Sequence, residues 1–275
     1  MLRALSSCLP RSFKWYLARL RQNARARRRH FSPYNVQKNL GGISFEFWIG
    51  DPVGEEWYVP LNTLLPEHEF LRDHMLEAND VVLECGAHHG FTTILIANWV
   101  GQRGQVIALE ASPGSAKILQ DNITRNHLGN VIVKNQAASE QTGEIEIFDG
   151  SNSAVVPGHQ RWGTIRVPAV CLDEYAAYKP TFVKLDVEGF EIQVLKGASQ
   201  ILATRPKFEI EVHTDMIRNY GSNADELLYF FDPAHYHLWL QTNAESAPQP
   251  YNGESLSAMH QSQIHLFAIP RRRDA

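Results

Sequence analysis

The segment that most constrains this chain is the run VVLECGAHHG at residues 81–90. Its first five residues, 81–85, are short and apolar, which is typical of a strand buried on both faces of a parallel sheet. Gly86 and Gly90 follow, and residues 91–100 have the pattern of a helix. Glycines here let the backbone turn tightly and approach a ligand closely. The segment therefore predicts a strand, a ligand-binding loop and a helix.

From residue 80 onward, short apolar runs alternate with helical patterns. The predicted strands are 81–85, 105–110, 130–135, 144–148, 164–170, 182–186, 206–213, 235–241 and 264–269. Ser112 followed by Pro113 is typical of a helix start, and this helix is predicted to end near His127. Another helix is predicted over 191–203. The alternation indicates an α/β fold in which helices cover both faces of a mostly parallel sheet.

Three segments are predicted along the 275 residues. Residues 80–270 form the main domain, and residues 1–30 are a basic N-terminal extension. Residues 31–79 form an N-terminal cap, a hairpin followed by a helix at 66–76. The hairpin is predicted to pair the alternating run ISFEFWI with the run EEWYVP, across a turn at 50–54.

Charge is distributed unevenly. Residues 1–30 contain eight Arg, one Lys and no acidic residue, whereas the remainder contains 17 basic and 30 acidic residues. Three interpretations of the N-terminus stay open: a basic amphipathic segment that contacts an anionic membrane or a partner, a solvated terminus, or a mitochondrial presequence. The acidic remainder argues against a broad nucleic-acid-binding face, so we expect no nucleic-acid partner.

The cysteines point to a reducing compartment. Cys8, Cys85 and Cys171 are widely spaced and form neither a CxxC pair nor a metal-ligand pattern. No run approaches the roughly 20 apolar residues of a membrane span. We therefore expect a cytoplasmic protein, peripheral to a membrane if residues 1–30 bind one.

Two carboxylates define the ligand expected at the glycine loop. Glu110 ends the second strand, where a carboxylate can accept hydrogen bonds from both hydroxyls of a ribose. The loop lacks the third glycine of the dinucleotide fingerprint, and its two histidines crowd the space that a pyrophosphate needs. Glu84 would repel a pyrophosphate but attract an ammonium or a sulfonium. The pattern favours S-adenosylmethionine over NAD, and an NAD-dependent oxidoreductase is kept as a weaker alternative.

Five segments in order resemble the FkbM family of S-adenosylmethionine-dependent methyltransferases. They are VVLECGAHHGFTT, VIALEASPGSAKILQDNI, NQAASEQTGEI, FVKLDVEGFEIQVLKGA and FEIEVH, spread over about residues 60–240. The resemblance implies a Rossmann-like class I methyltransferase fold: a seven-stranded, mostly parallel sheet with helices on both faces and the last strand antiparallel.

The resemblance also implies a set of cofactor-binding residues. The methionine end would be lined by Glu84, Gly86, Ala87, His88 and Gly90. Glu110 would hold the ribose, Ala111 and Ser112 would border the adenine, and Gln136 and Ala137 would close over its edge. The family more often has Asp, then Val or Ile, where this chain has Glu84 and Cys85, and Asn where it has His88. Glu84 keeps the charge, whereas the role of His88 is open.

Two predicted central strands carry polar residues on one face, where a covered sheet should be apolar. Lys184, Asp186 and Glu188 share one face by the two-residue period, and Glu209, Glu211 and His213 share one face of the run KFEIEVH. Charges inside a sheet are costly unless they are paired. We expect Lys184 to pair with Glu209 or Glu211 deeper in the sheet, either for catalysis or only to fix strand register.

The remaining residues of this face are expected at the carboxyl edge, beside the ligand. If the acceptor is a hydroxyl, a base must remove its proton. Asp186 and His213 are the candidates, and Glu188 would orient them. A second hypothesis is that Asp186, Glu188 and a nearby acid hold Mg²⁺. The loop at 149–163 is either a substrate lid or an ordinary surface connection.

The leading functional hypothesis is O-methylation of a hydroxyl on a sugar, a glycolipid or a secondary-metabolite small molecule. The resemblance supplies this acceptor class, since the residues themselves support only the cofactor and the reaction type. The alternative from another class is a catalytically silent S-adenosylmethionine-binding protein whose N-terminus docks on a partner or a membrane.

Overall fold

The computed structural model describes residues 30–158 and 163–271. The basic segment up to residue 29, and residues 159–162 of the predicted lid, lie outside the described residues. Within the described ranges, no helix combines the length and the apolarity that crossing a membrane requires.

Thirteen strands are formed in the described ranges. In chain order they are β1 (Tyr34–Leu40), β2 (Ile43–Ile49), β3 (Val81–Cys85), β4 (Gln105–Leu109), β5 (Val131–Lys134), β6 (Ala137–Ser139), β7 (Gly143–Phe148), β8 (Thr164–Cys171), β9 (Phe182–Leu185), β10 (Lys207–Val212), β11 (Tyr236–Gln241), β12 (Gln249–Pro250) and β13 (Ile264–Pro270). The α-helices are α1 (Pro52–Tyr58), α2 (Pro66–Phe70), α3 (Phe91–Val100), α4 (Pro113–Arg125), α5 (Glu191–Lys196) and α6 (Ser199–Thr204). One π-helical turn, Leu71–Met75, continues α2, and 3₁₀ turns cover Leu172–Tyr178, Ile217–Tyr220, Ala224–Tyr229 and Leu256–Ala258.

The main sheet has the order β12-β11-β13-β10-β9-β3-β4-β5. Strands β5, β4, β3, β9 and β10 run parallel. The last strand, β13, lies antiparallel between β10 and β11. The predicted seven-stranded Rossmann-like arrangement with an antiparallel last strand is thus confirmed, and the two-residue β12 extends its edge to eight strands.

Each face of the sheet packs against its own hydrophobic core, because successive side chains of a strand point to opposite faces. Leu83 and Cys85 of β3 pack on the side of α5 and the 3₁₀ turns. Val82 packs on the opposite side, with α3, α4 and the β1–β2 hairpin. Both faces are covered, which explains why the central strands are almost continuously apolar.

The predicted hairpin partner of β2 is wrong. The run EEWYVP does not return as a strand, because most of it belongs to helix α1, and β2 pairs with the upstream strand β1 instead. Asp51 caps α1 by accepting a hydrogen bond from the backbone N–H of Gly54 at 2.8 Å, and Pro52 occupies the first turn. An N-cap aspartate before a proline at the helix start is the signal that favours a helix here.

The helix predicted over 191–203 is divided into α5 and α6. Gly197 and Ala198 separate the two helices, and a side chain at Gly197 would press on the backbone carbonyls of Ser139 and Glu140. Strand β6, which the sequence did not predict, lies at this contact. It pairs in parallel with β8, which also binds β7, and the three form a separate small sheet.

Asn122 of α4 and Asn126, which caps the end of this helix, attach the hairpin to the main domain. The side chain of Asn122 accepts a hydrogen bond from the N–H of Trp48 at 2.6 Å and donates one to its carbonyl at 3.3 Å. Asn126 does the same with Glu46, at 3.0 and 2.7 Å. Asn122 also donates to the carbonyl of His89 at 2.9 Å, so one buried amide joins the hairpin to the loop after β3.

Close contacts and a left-handed backbone conformation favour glycine at two positions of that loop. Gly86 has φ +86°, and a Cβ there would overlap the carbonyl oxygen of Asp186 at the end of β9. Gly90, also at φ +86°, leaves no room for a side chain next to Leu119 of α4. Gly86 therefore lets β3 and β9 end side by side, which brings Asp186 next to the glycine loop.

Replacing Gly86 by Ala is expected to destabilise the fold strongly, by more than about 2 kcal/mol, because both the positive φ and the overlap with Asp186 penalise a side chain. The matched control is Gly129→Ala, where a Cβ would meet nothing within 4 Å. Urea denaturation of both variants measures the difference. Equal stability of the two would contradict this account of Gly86.

Candidate active site

Two cavities open at the carboxyl edge of the sheet and meet at the glycine loop. The first, here called the narrow cleft, lies between the loop, the ends of β4 and β9, and residues 151–155. The second, here called the polar cavity, has a volume of about 780 Å³ and extends over β9, β10 and β13 toward α2. The residues that line both are Trp57, Gly86, His88, Asn152, Asp186 and Glu188.

Glu110 fixes the wall of the narrow cleft. One carboxylate oxygen accepts a hydrogen bond from the N–H of His88 at 2.8 Å, and the other accepts one from the N–H of Ser112 at 2.8 Å. Burial raises the pKa of Glu110 to about 7. The carboxylate thus ties the glycine loop to the start of α4, and each of its oxygens keeps a further lone pair for a ligand hydroxyl.

Glu84, on β3, lines the polar cavity. It accepts a hydrogen bond from the hydroxyl of Thr93 at 2.6 Å and is 1% exposed. Burial raises the pKa of Glu84 to about 7. A bound cation would stabilise the charged form of this carboxylate.

His88 stands between the two cavities and is held on every side. Its Nδ1 lies 2.6 Å from the hydroxyl of Tyr58, and its Nε2 lies 3.0 Å from Oγ of Ser151. The ring stacks on His89 at 3.8 Å between centroids. Burial holds the pKa of His88 well below its usual value, so the ring is neutral and connects α1, the glycine loop and residue 151.

A buried ion pair crosses the sheet below these residues, as the sequence predicts. Lys184 donates to one oxygen of Glu209 at 2.6 Å, and Nδ1 of His265 lies 2.8 Å from the other. Burial alone would raise the pKa of Glu209, but the charge of Lys184 and the hydrogen bond from His265 lower it to about 2. Glu209 is therefore charged and fully engaged.

His213 follows β10 and is surrounded by carboxylates. Its Nδ1 lies 3.0 Å from Glu191, and its Nε2 lies 3.8 Å from Glu211 and 4.0 Å from Glu188. Burial alone would lower the pKa of His213, but the hydrogen bond to Glu191 and the charges of Glu188 and Glu211 raise it to about 10. His213 is thus protonated at neutral pH and donates to Glu191.

Asp186 lies next to this cation. Asp186, Glu211 and His213 each offer one ligand-type atom, and these atoms lie within 4.8 Å of one another. Burial and the charge of Asp186 raise the pKa of Glu211 to about 8. The cluster thus places two carboxyl groups beside the cation of His213.

The structure brings most of the predicted site residues together. Of the predicted cofactor residues, Gly86, His88, Glu110, Ala111, Gln136 and Ala137 line the narrow cleft, and Glu84 and Ala87 line the polar cavity. Two do not line either cavity: Gly90 packs against Leu119, and Ser112 caps α4.

Several residues of the site were missed by sequence reasoning. Trp57 and Tyr58 reach it because α1 is a helix, which the Asp51-Pro52 pair could have indicated. Glu191 was predicted only as a helix start, whereas it pairs with His213. Gln241 also lines the polar cavity. The sequence around it shows only an ordinary strand and no motif that predicts a binding residue.

The raised pKa values of Glu84, Glu110 and Glu211 predict a loss of stability at high pH. From about pH 4.5 to 7 the folded state keeps protons that the unfolded state has lost, so the free energy of unfolding falls as the pH rises. His213 acts in the same direction above about pH 6.5. Between pH 5.5 and 8, the free energy of unfolding of Glu84→Gln should fall by about 2 kcal/mol less than that of the unaltered protein.

Urea denaturation at both pH values checks this result. Glu144→Gln is the control, because Glu144 is exposed. If Glu84→Gln leaves the fall as large as it is in the Glu144→Gln protein, Glu84 does not hold the proton assigned to it.

Several known methyltransferases are similar to this chain. The chain is 29% identical over 182 residues to the hexuronic acid methyltransferase AglP of Haloferax volcanii, covering 63% of this chain and 72% of AglP. A solved FkbM methyltransferase from Methylobacillus flagellatus aligns with 20% identity and a TM-score of 0.47, over 72% of this chain and 46%, about half, of that one. An O-methyltransferase from Thermotoga maritima aligns with 16% identity and a TM-score of 0.44, over 76% of this chain and 66% of that chain.

A family model identifies the family to which the chain belongs. The model of the methyltransferase FkbM domain matches residues 84–240, more than half of the chain. The match begins at Glu84, at the end of β3, and includes the glycine loop, Glu110, Asp186 and His213. The chain is a methyltransferase that belongs to the FkbM family.

Proposed function

We propose that this protein transfers the methyl group of S-adenosylmethionine to a hydroxyl group of a sugar or of a sugar-containing small molecule such as a glycolipid or a secondary metabolite. The observation that carries the proposal is the position of Asp186. Asp186 lines both cavities beside the glycine loop, and its carboxylate lies near Glu211 and His213. A methyl donor in one cavity and an acceptor in the other would meet at this carboxylate.

The donor set of the narrow cleft fits an adenosine. Glu110 offers carboxylate oxygens to ribose hydroxyls, and Ala111 and Phe190 offer an apolar surface to an adenine. The carboxamide oxygen of Gln136 accepts a hydrogen bond from Tyr175 at 2.6 Å, which leaves its N–H groups to donate to a ring nitrogen. Glu84 would face the ammonium of the methionine part. When bound, S-adenosylmethionine supplies an electrophilic methyl group.

The protein's own residues would position the acceptor and accept its proton. Much of the rate of a methyl transfer comes from alignment and from the exclusion of water. Asp186 would accept the proton of the acceptor hydroxyl. His213 is already protonated, so we assign to it the orientation of Asp186 and Glu211 rather than the role of base. Glu188 and Glu191 would hold that imidazolium in place.

Two further features complete the proposal. Ser151, in the loop 149–158, lies in hydrogen-bond reach of His88 and accepts a hydrogen bond from Ser115 at 3.0 Å. The loop thus covers the narrow cleft, and its opening would admit the cofactor. The imidazolium of His213 places positive charge beside Asp186 and Glu211, so we propose a mechanism that does not include Mg²⁺.

The sugar acceptor is supported by the relative AglP, whose name describes a hexuronic acid methyltransferase. The walls of the polar cavity agree with a hydroxyl-rich ligand. Asn243, Ser262 and Gln263 line it together with the acidic groups. Amides, hydroxyls and carboxylates are the side chains that hydrogen-bond sugar hydroxyls.

Methyl transfer can be measured with isotope-labelled S-adenosylmethionine and a mixture of mono- and oligosaccharides. The expected product gains one labelled methyl group and keeps it in mild alkali, since a methyl ether resists the hydrolysis that removes a methyl ester. A label lost in alkali would contradict hydroxyl methylation. Binding of S-adenosylhomocysteine with no transfer to any acceptor would favour the catalytically silent alternative.

Asp186→Asn is expected to lower kcat by at least about 10²-fold, the range attributed to a general base. The affinity for S-adenosylhomocysteine, measured by calorimetry, should change only a few-fold. Asp121→Asn is the matched control, because Asp121 lies on the outer face of α4, paired with Lys117. An Asp186→Asn enzyme as fast as the control would remove Asp186 from the mechanism.

A further inference from the structure

The far end of the polar cavity contains a buried amide with an unsatisfied oxygen. Gln241, the last residue of β11, is 1% exposed. Its Nε2 donates to Glu67 of α2 at 3.1 Å. Its Oε1 has no hydrogen-bond partner among the described residues. An unsatisfied buried acceptor costs about 1–3 kcal/mol, and a ligand hydroxyl in the cavity would recover this energy.

The sheet fixes the distance between Gln241 and the reacting edge. Gln241 is in register with His265, and His265 is in register with Glu211, which lies beside Asp186. Asp186 and Gln241 therefore lie on strands three positions apart, about 14 Å at the usual spacing between strands. A single pyranose ring does not span this distance, whereas two or three linked rings do.

The charge of the cavity selects among sugars. Seven acidic side chains and one lysine line it. The lysine, Lys184, is bound to Glu209 at 2.6 Å, and the cationic His213 is bound to Glu191 at 3.0 Å. Each of these cations already faces a carboxylate, so an added carboxylate would meet mainly like charge. A neutral ring with hydroxyl groups avoids this repulsion.

We propose that Gln241, held by Glu67, binds a hydroxyl of a sugar ring remote from the methylated one, and that the acceptor is a neutral oligosaccharide of at least two rings. This inference rests on the proposed sugar methyltransferase function and adds a subsite to it. It separates this chain from its relative AglP, whose name specifies a hexuronic acid. Gln241 acts here in binding and not in the chemical step.

The chain provides a matched control for Gln241. The carboxamide oxygen of Gln193 is also buried without a partner, and its Nε2 donates to the carbonyl of Tyr220 at 3.2 Å. Gln193 lines neither of the two cavities. Gln241→Leu and Gln193→Leu thus remove the same group, one from the proposed subsite and one from elsewhere.

The test is binding of the full chain, saturated with S-adenosylhomocysteine, to a printed array of neutral and uronate-containing oligosaccharides and their monosaccharides. We expect neutral oligosaccharides to bind more tightly than monosaccharides and uronates. Gln241→Leu should weaken this binding at least tenfold, with the affinity for S-adenosylhomocysteine unchanged, and Gln193→Leu should bind as the unaltered protein does. Glu67→Gln should restore most of the affinity that Glu67→Ala loses, because glutamine keeps an acceptor oxygen for Nε2 of Gln241.

Preferred binding of uronates, equal binding of monosaccharides, no binding to any sugar, or no effect of Gln241→Leu would each overturn the inference. The two proposals fail differently. If labelled methyl enters sugars but Gln241→Leu changes nothing, only the subsite is wrong. If S-adenosylhomocysteine does not bind at all, the proposed function itself fails.

Discussion

The ion pair between Lys184 and Glu209 is the interaction on which the rest of the site depends. It joins β9 to β10 in the middle of the sheet, and the next residue in the same row is the buried Phe267 of β13. Buried charges are costly unless each is paired and hydrogen-bonded, and here His265 occupies the second oxygen of Glu209. A slip of either strand by one residue would turn its own charge toward the opposite core and leave the other charge without its partner. The pair therefore holds β9 and β10 in one register, and His265 extends this constraint to β13.

That register determines what stands at the edge. Two residues beyond Lys184 and Glu209, the chain places Asp186 and Glu211, and His265 aligns Gln241 with them on the outer strands. Asp186 and Glu211 thus continue the polar face of β9 and β10 from the buried ion pair to the edge of the sheet. The two glutamates of β10 differ because their surroundings differ: the pKa of Glu211 is raised by burial and by Asp186, whereas the pKa of Glu209 is lowered by Lys184 and His265.

The sequence predicts the parts of the molecule that follow local rules. The βα alternation, the Ser112 cap and the pairing of Lys184 with Glu209 come from periodicity, capping and the cost of buried charge. Residues 52–58 differ from the predicted hairpin because the helix start at Asp51 and Pro52 overrides the turn signal of Gly50 and Gly54. Gln241 and Glu191 could not be predicted, because their roles depend on neighbours that are distant in sequence and meet only in the folded chain.

The two asparagines at the end of α4 have an effect beyond holding the hairpin. Asn122 and Asn126 offer an amide N–H and a carbonyl to β2 in the way that a further strand would. Open strand edges invite pairing with other chains, and natural proteins cover or interrupt them. Along Glu46 and Trp48 the edge of β2 is closed by side chains, so intermolecular strand addition is blocked there without extending the sheet.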